Sequence, residues 1–197
     1  MTNVRNYSDA DLINSARKTN GFKDIPKGYW LLFVRSNEDE PNKYDDKLYF
    51  MNGYKCRAVT SCTTNSGTYG LLNFKKWNSK GTAIIKFDEW YYDTYQYGLH
   101  RGKMGALRQV KPMKYYRDGN KDLKSDEKGK VYEEIAYTNI HFNSYTNKSK
   151  LLTWIIGGWS VGCMVMNDAF FYWNILVPAF KGKKDLIALA QTGTGKT

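Results

Sequence analysis

The residues of this chain that are best suited to nucleophilic chemistry are a histidine before a polar stretch and a cysteine after it. Cys163 stands in the segment GGWSVGCMV, residues 157–165, and His141 precedes it by 22 residues. The 197-residue chain has only two histidines and three cysteines, so this pairing beside two apolar runs is a candidate for catalysis. A neighbouring imidazole or a positive field turns a thiol into a nucleophilic thiolate. The pair therefore predicts cysteine-dependent acyl transfer.

The residues around this pair predict how such a site would be built. Backbone amides near Gly162 and Cys163 are placed to bind a developing oxyanion. Ser160 is expected to donate a further hydrogen bond or to orient the loop. His141 ends an apolar run, and a strand there would hold the imidazole within hydrogen-bonding range of the sulfur. A helix beginning soon after Cys163 would favour the thiolate through its dipole.

Both residues also have an ordinary structural interpretation. Free cysteine is among the most often buried residue types, so Cys163 fits a small apolar side chain of a core. His141 equally fits a histidine that is hydrogen-bonded within its own strand. The spacing alone leaves catalysis and core packing open as alternatives.

The pattern along the chain predicts an α+β fold, as a predominantly β single domain with an N-terminal helix and a helix after the Cys segment. Ser8 and an acidic first turn predict a helix over 8–20. Short apolar runs predict the strands, and Asn52-Gly53 predicts a hairpin turn. The runs are 28–36, 47–52, 54–61, 81–87, 106–118 with a bend around Pro112, and 134–142. Residues 167–177 predict a helix that Pro178 stops.

The expected domain covers residues 1–189, and residues 190–197 are expected to form a polar C-terminal tail. The sequence of that tail, AQTGTGKT, is close to a phosphate-binding loop, but such a loop needs a following helix. Nucleotide binding is therefore not expected, although it stays a rival hypothesis. Cys56 and Cys62 are expected to be free thiols, and no spacing of metal ligands predicts zinc. Residues 118–127 fit a turn rich in Asx residues better than a calcium loop.

A family resemblance rests on several strings of residues. These are YGLHRGKMGALRQVKP, YRDGNKD, NIHFN and GGWSVGCMV, and together they lie within residues 9 to about 180. A strand ending in histidine with a later S-x-G-C resembles the catalytic domain of the L,D-transpeptidases. The wider string resembles phage-encoded peptidoglycan-degrading proteins related to that family. Two positions depart from the family pattern: Met164 follows the cysteine, and Phe142 stands where the family often has glycine.

The resemblance implies a mostly β catalytic domain that forms a thioester at a peptide stem of peptidoglycan. It implies that Cys163 is the nucleophile and His141 the base, within a catalytic segment that includes Ser160 and Gly162. Arginine and lysine suit the carboxylates of wall stem peptides, and a second histidine could orient the first or replace it as base. The residues predicted to contact substrate are His100, Arg101, Lys103 and Trp159.

The expected function is therefore that of an endolysin-like thiol protease that hydrolyses peptidoglycan stem peptides without a cofactor. Cross-linking by transpeptidation and a non-catalytic virion or wall-binding module of the same fold are the alternatives. The net charge of +11 favours anionic wall polymers as further partners. The N-terminus lacks an apolar signal core, and no apolar run reaches the roughly 18 residues of a membrane span. Synthesis in the cytoplasm and action at the wall after lysis, or as part of a virion, are expected.

Overall fold

Most of the strands form one curled sheet that closes on itself. The computed structural model describes residues 6–38, 40–146 and 154–182, and the backbone of residues 187–193. The strands in these ranges are β1 (Tyr29–Arg35), β2 (Asp46–Asn52), β3 (Lys55–Thr63), β4 (Thr82–Ile85), β5 (Glu89–His100), β6 (Met104–Gln109), β7 (Met113–Asp118), β8 (Tyr132–Glu134), β9 (Ile140–Phe142), β10 (Met164–Met166) and β11 (Ile187–Gly193).

The closed sheet has the strand order β1-β11-β5-β6-β9-β10-β3-β2, with β2 returning to β1. The pairs β1–β11 and β9–β10 are parallel, and the other neighbours are antiparallel. Strands β4, β7 and β8 form a separate three-stranded sheet. The predominantly β architecture predicted from the sequence is confirmed.

Helices occupy a small part of the described chain. They are α1 (Asp9–Arg17), α2 (Thr68–Asn73) with a 3₁₀ turn (Phe74–Lys76), and a π-helical turn (Phe171–Leu176) that continues into α3 (Val177–Phe180). The helix expected at the N-terminus is confirmed, and Ser8 and Asp11 form its capping box. No helix within the described ranges is long and apolar enough to cross a membrane.

Strand β1 explains how one continuous apolar run serves two cores. Leu31 and Phe33 point into the closed sheet, where they join its main core. Trp30 and Leu32 point to the opposite face and pack in a second cluster that includes apolar residues of α1. Because successive side chains of a strand alternate between faces, a strand buried on both sides must be apolar throughout.

The predicted strand over 134–142 is wrong as a single element. The structure has two short strands, β8 and β9, with residues 135–139 outside regular structure between them. The side chain of Gln109 accepts hydrogen bonds from the backbone of Ala136 and Thr138, which occupies amides that a continuous strand would pair with a neighbouring strand. A contact with a residue distant in the chain thus interrupts the strand that the local sequence pattern predicts.

The prediction that Pro178 stops the helix after the Cys segment is also wrong. The helix itself is confirmed, with the Asp168 carboxylate accepting from the amide of Phe171, but it continues past Pro178 to Phe180. Proline is tolerated there because it stands in the first turn of α3, directly after the π-helical turn. Strand β11 includes residues 190–193, which the sequence analysis assigned to the polar tail, while residues 194–197 lie outside the described residues.

Candidate active site

Two adjacent parallel strands bring His141 and Cys163 to the same outer face of the closed sheet. His141 is the middle residue of β9 and pairs with Val165 of β10, and Cys163 stands two residues before Val165. Ile140 and Phe142 point into the main core. Because side chains alternate along a strand, His141 and its register partner Val165 point outward. Cys163, directly before β10, packs against the same cluster as Val165.

The imidazole of His141 is fully buried and has a defined orientation. Its Nδ1 lies 2.8 Å from the carbonyl oxygen of Phe142, which can only accept a hydrogen bond. Nδ1 therefore carries the proton in the neutral ring, and Nε2 keeps its lone pair. Among the described residues, no group donates to Nε2. A buried, unpaired Nε2 with an oriented ring is the arrangement of a general base.

The second histidine stacks on the first. The ring centroids of His100 and His141 are 4.1 Å apart with an interplanar angle of 24°. Asn139 Nδ2 lies 3.0 Å from Nδ1 of His100, and Asn139 Oδ1 accepts from the backbone amide of Gln109 at 3.1 Å. Since the amide oxygen already serves Gln109, the amide nitrogen donates to His100. The proton of His100 is therefore on Nε2.

The sulfur of Cys163 is half-buried and contacts backbone rather than imidazole. Sγ lies 3.7 Å from the carbonyl oxygen of Tyr137, a weak hydrogen bond donated by the thiol. The backbone of Asn139 also interacts with the sulfur. Because Nε2 of His141 has no partner within the described chain, the hydrogen bond between thiol and imidazole that the sequence suggested is absent from this resting geometry.

The turn before Cys163 is closed by the side chain of Ser160. Ser160 Oγ donates to the carbonyl oxygen of Cys163 at 2.7 Å and accepts from the amide of Gly162 at 3.1 Å. Ser160 is fully buried, so of its two expected roles the structure favours orienting the loop. The amide of Gly162 is occupied, whereas the amide of Cys163 makes no hydrogen bond to a described residue. Only the second of these amides is open to an oxyanion.

The loop that carries Trp159 and Ser160 rests on helix α2 and on a polar residue of the segment before β2. Asn42 Oδ1 accepts from the amide of Gly157 at 2.7 Å. The amide of Gly67 donates to the carbonyl of Ser160 at 3.1 Å, and any Cβ at Gly67 would collide with the carbonyl of Gly157. These backbone contacts hold the loop at a fixed distance from the sheet.

Burial keeps both imidazoles neutral. Burial lowers the pKa of His141 to about 3, and the neighbouring charges of His100 and Arg101 act in the same direction against the carbonyl of Phe142, which raises it. Burial likewise lowers the pKa of His100 to about 4, with further lowering by Arg101 and Arg108. At neutral pH neither ring therefore carries charge, and of the two only His141 has a ring nitrogen whose lone pair meets no described donor.

Burial also keeps the thiol neutral, but it does so by shifting the pKa in the opposite direction. It raises the pKa of Cys163 to about 11, while the backbone of Asn139 and the charge of Arg101 lower it to a smaller extent. The helix dipole expected from the sequence is missing here, because β10 and not a helix follows Cys163 directly. The resting site thus contains a thiol and neutral imidazoles rather than a thiolate–imidazolium pair.

Basic residues at the end of β5 provide the positive charge of the site. Arg101 and Gly102 both have positive φ values, 49° and 70°, in a turn closed by the hydrogen bond from the amide of Lys103 to the carbonyl of His100. The charge of Arg101 perturbs the pKa of Cys163 and of both histidines. The turn therefore places an exposed guanidinium within electrostatic range of the candidate nucleophile.

Aromatic rings form the other side of the site. Trp159 packs edge-to-face on Tyr145 with centroids 5.1 Å apart, and it lies 6.5 Å from the ring of His141. Lys103 Nζ lies 5.4 Å from the centroid of the Tyr145 ring. The structure thus gathers all the residues that the sequence predicted for the site, and their catalytic and binding roles stay predictions.

Sequence reasoning missed Asn139, Tyr137 and Tyr145. Asn139 stands two residues before His141, and that period of two was a usable signal for a side chain on the same face. Tyr137, four residues before His141, fits the same period of two, whereas Tyr145 follows β9 outside regular structure and carried no such signal. Among the described residues, no group of three His, Cys, Asp or Glu side chains could hold a metal ion.

Replacing Gly162 with alanine is expected to lower the free energy of unfolding by about 2 kcal/mol, because two strains combine. Gly162 has a φ of +114°, and a Cβ there would lie 2.6 Å from the carbonyl oxygen of Ala83. Gly158→Ala is the matched control, since its Cβ would meet only Tyr69 at 3.6 Å. Urea unfolding of both variants checks this. Equal losses would show that the turn before Cys163 is not constrained as described.

The rate at which iodoacetamide alkylates Cys163 is expected to keep rising with pH beyond pH 9, because the pKa of this thiol is raised to about 11. Below that pKa the protonated thiol predominates, so each increase in pH adds thiolate. Peptide-resolved mass spectrometry separates Cys163 from Cys56 and Cys62. A rate that reaches its plateau below pH 8 would instead reveal a preformed thiolate.

No family model, curated protein or solved structure matches the chain. The resemblance to the L,D-transpeptidases therefore stays a prediction from the motifs, and the geometry of the site must support any function by itself.

Proposed function

We propose that this protein is a cysteine-dependent hydrolase of peptidoglycan stem peptides, with a catalytic domain of the L,D-transpeptidase type as in phage-encoded lytic proteins. The observation that carries the proposal is the buried Nε2 of His141. It is unprotonated, has no partner among the described residues, and lies on the same outer face as Cys163. An unpaired buried acceptor is costly, and such groups call for a functional explanation.

In the first chemical step, Nε2 of His141 takes the proton of the Cys163 thiol as the sulfur attacks the carbonyl carbon of a stem-peptide bond. The raised pKa of Cys163 and the lowered pKa of His141 disfavour a free ion pair in the resting site. Proton transfer therefore accompanies formation of the C–S bond instead of preceding it. Entry of the substrate has to bring the sulfur away from the Tyr137 carbonyl and towards the imidazole.

The tetrahedral intermediate then collapses to a thioester. Its oxyanion is within reach of the amide of Cys163, which is open in the resting site. The imidazolium of His141 returns its proton to the departing amine, the C–N bond breaks, and a thioester on Cys163 remains. Water then attacks the thioester with His141 as base, which releases a carboxylic acid and restores the thiol. If a second amine replaced water, the product would be a cross-link.

Recognition of the stem peptide is assigned to the two sides of the site. Arg101, exposed and coupled electrostatically to the nucleophile, suits a substrate carboxylate. Lys103 can act with it, while Trp159 offers an apolar wall beside His141. The high net charge of +11 is consistent with further attraction to anionic wall polymers.

One observation favours a second candidate, a non-catalytic wall-binding module of the same fold. The thiol of Cys163 donates a hydrogen bond to a backbone carbonyl and its pKa is raised, which is the state of an unreactive cysteine. In that case the basic and aromatic sides of the site would bind the wall without cleaving it.

Digestion of purified peptidoglycan by the wild-type protein is expected to release new stem-peptide fragments, and Cys163→Ala is expected to reduce their rate of release at least ~10³-fold, because the nucleophile is lost. Cys56→Ala is the matched control: this thiol packs against the α1 side of the sheet and should not affect the rate. Mass spectrometry identifies the fragments.

Full activity of Cys163→Ala would contradict the proposal. New cross-linked species in place of fragments would identify a transpeptidase. Unchanged peptidoglycan, together with retention of the protein on the wall, would favour the binding module.

A further inference from the structure

Tyr137 has a backbone conformation that aromatic residues rarely adopt. It lies between β8 and β9 with a φ of 58°, in the left-handed region. For a non-glycine residue this conformation costs roughly 1–2 kcal/mol. Such strain persists only where the surrounding structure imposes it, and it concentrates at functional sites.

The side chain of Gln109 imposes this conformation. Its Oε1 accepts from the amide of Ala136 at 3.1 Å and from the amide of Thr138 at 3.2 Å, so the chain must fold around the residue between them. Gln109 is itself buried, and its Nε2 donates to the carbonyl of Glu134 at 3.2 Å. One amide group thus bonds the backbone before and after Tyr137.

Two buried tyrosines fix the far side of the same turn. Tyr95 Oη donates to the carbonyl of Thr138 at 2.9 Å, and Tyr115 Oη lies 2.5 Å from Thr138 Oγ1. Thr138 is therefore held through its amide, its carbonyl and its hydroxyl. Hydrogen bonds on both sides of Tyr137 thus hold the left-handed turn and offset its conformational strain.

Tyr137 contacts the candidate nucleophile through its backbone and solvent through its side chain. Its carbonyl oxygen accepts from the thiol of Cys163 at 3.7 Å. Its side chain is 68% exposed, although tyrosine has a large apolar ring. An exposed ring on a residue whose backbone contacts the nucleophile is a surface that a bound substrate can cover.

We propose that Tyr137 is a positioning residue of this site: its left-handed backbone, held by Gln109, fixes the thiol of Cys163, and its ring faces the substrate that binds there. The backbone role concerns the cysteine alone and needs no substrate. The role of the ring rests on the proposed function.

The experiment compares Tyr137→Asn with Tyr137→Val in the full chain. Both substitutions remove the ring, but asparagine tolerates left-handed φ whereas a β-branched residue does not. Cys163 in the asparagine variant is expected to react with iodoacetamide at pH 8 within about twofold of the wild-type rate, because the turn is kept. In the valine variant the carbonyl moves off the sulfur, and the reaction is expected to be about fivefold faster. Circular dichroism confirms that both variants are folded.

Equal alkylation rates in the two folded variants would overturn the backbone role. If valine prevents folding, Tyr137→Ala and Tyr137→Gly replace the pair, since alanine disfavours positive φ less severely than a β-branched residue and glycine accepts it freely. Alkylation needs no substrate, so this comparison decides the backbone role even if the wild-type protein cleaves no peptidoglycan.

Stem-peptide hydrolysis tests the ring. The asparagine variant is expected to raise KM about tenfold while kcat stays within about threefold of the wild-type value, because it loses a contact with bound substrate and keeps the position of the thiol. The valine variant is expected to lose kcat as well. An unchanged KM in the asparagine variant would overturn the role of the ring, whereas absence of hydrolysis by the wild type would count against the proposed function instead.

Discussion

The parallel pairing of β9 with β10 is the interaction on which the candidate site depends. The two strands pair over three residues. At the start of the pair, the amide of Met164 donates a hydrogen bond to the carbonyl of Asn139 at 3.0 Å. The strand is held in place from inside, because Ile140 and Phe142 are buried completely in the main core. With these two side chains fixed inward, the alternation of the strand leaves His141 no orientation but outward. The same register then brings the cysteine segment alongside it.

The two histidines and the cysteine of the site are uncharged because they are buried. The histidines stack, one oriented by a backbone carbonyl and the other by an asparagine amide, and both are kept neutral by desolvation. The thiol is kept protonated by the same cause. The resting site therefore contains no thiolate–imidazolium pair, and its charged groups form only when a substrate is bound. The exposed Arg101 is a nearby charge that would then stabilise negative charge as it develops on the sulfur. Burial therefore explains both how the site is built and why its reactivity has to be coupled to binding.

Local signals in the sequence were sufficient for much of the fold. The N-cap at Ser8, the hairpin between β2 and β3 and the apolar run of β1 each act over a few residues, and each was predicted. The hairpin turn is Gly53-Tyr54 and not the predicted Asn52-Gly53, because Asn52 still pairs with Lys55. One error, the single strand predicted over 134–142, came from a contact between residues distant in the chain. Gln109 divides the predicted strand over 134–142, and no local pattern could reveal that its side chain would bond the backbone there. Composition and spacing were sufficient to choose Cys163 and His141 as candidates. Their protonation was not predictable in this way, because it depends on the strand that follows Cys163 and on burial that the complete fold creates.

The central claim is that Cys163 becomes covalently acylated by a stem peptide, and trapping the acyl-enzyme tests it most directly. The protein would be mixed with a soluble stem peptide, quenched in acid within a turnover, digested and analysed by mass spectrometry. The account predicts that the fragment containing Cys163 gains the mass of the acyl portion, and that His141→Gln reduces the yield of this adduct. An adduct on Cys56 instead, or turnover of the peptide without any adduct in Cys163, would contradict it.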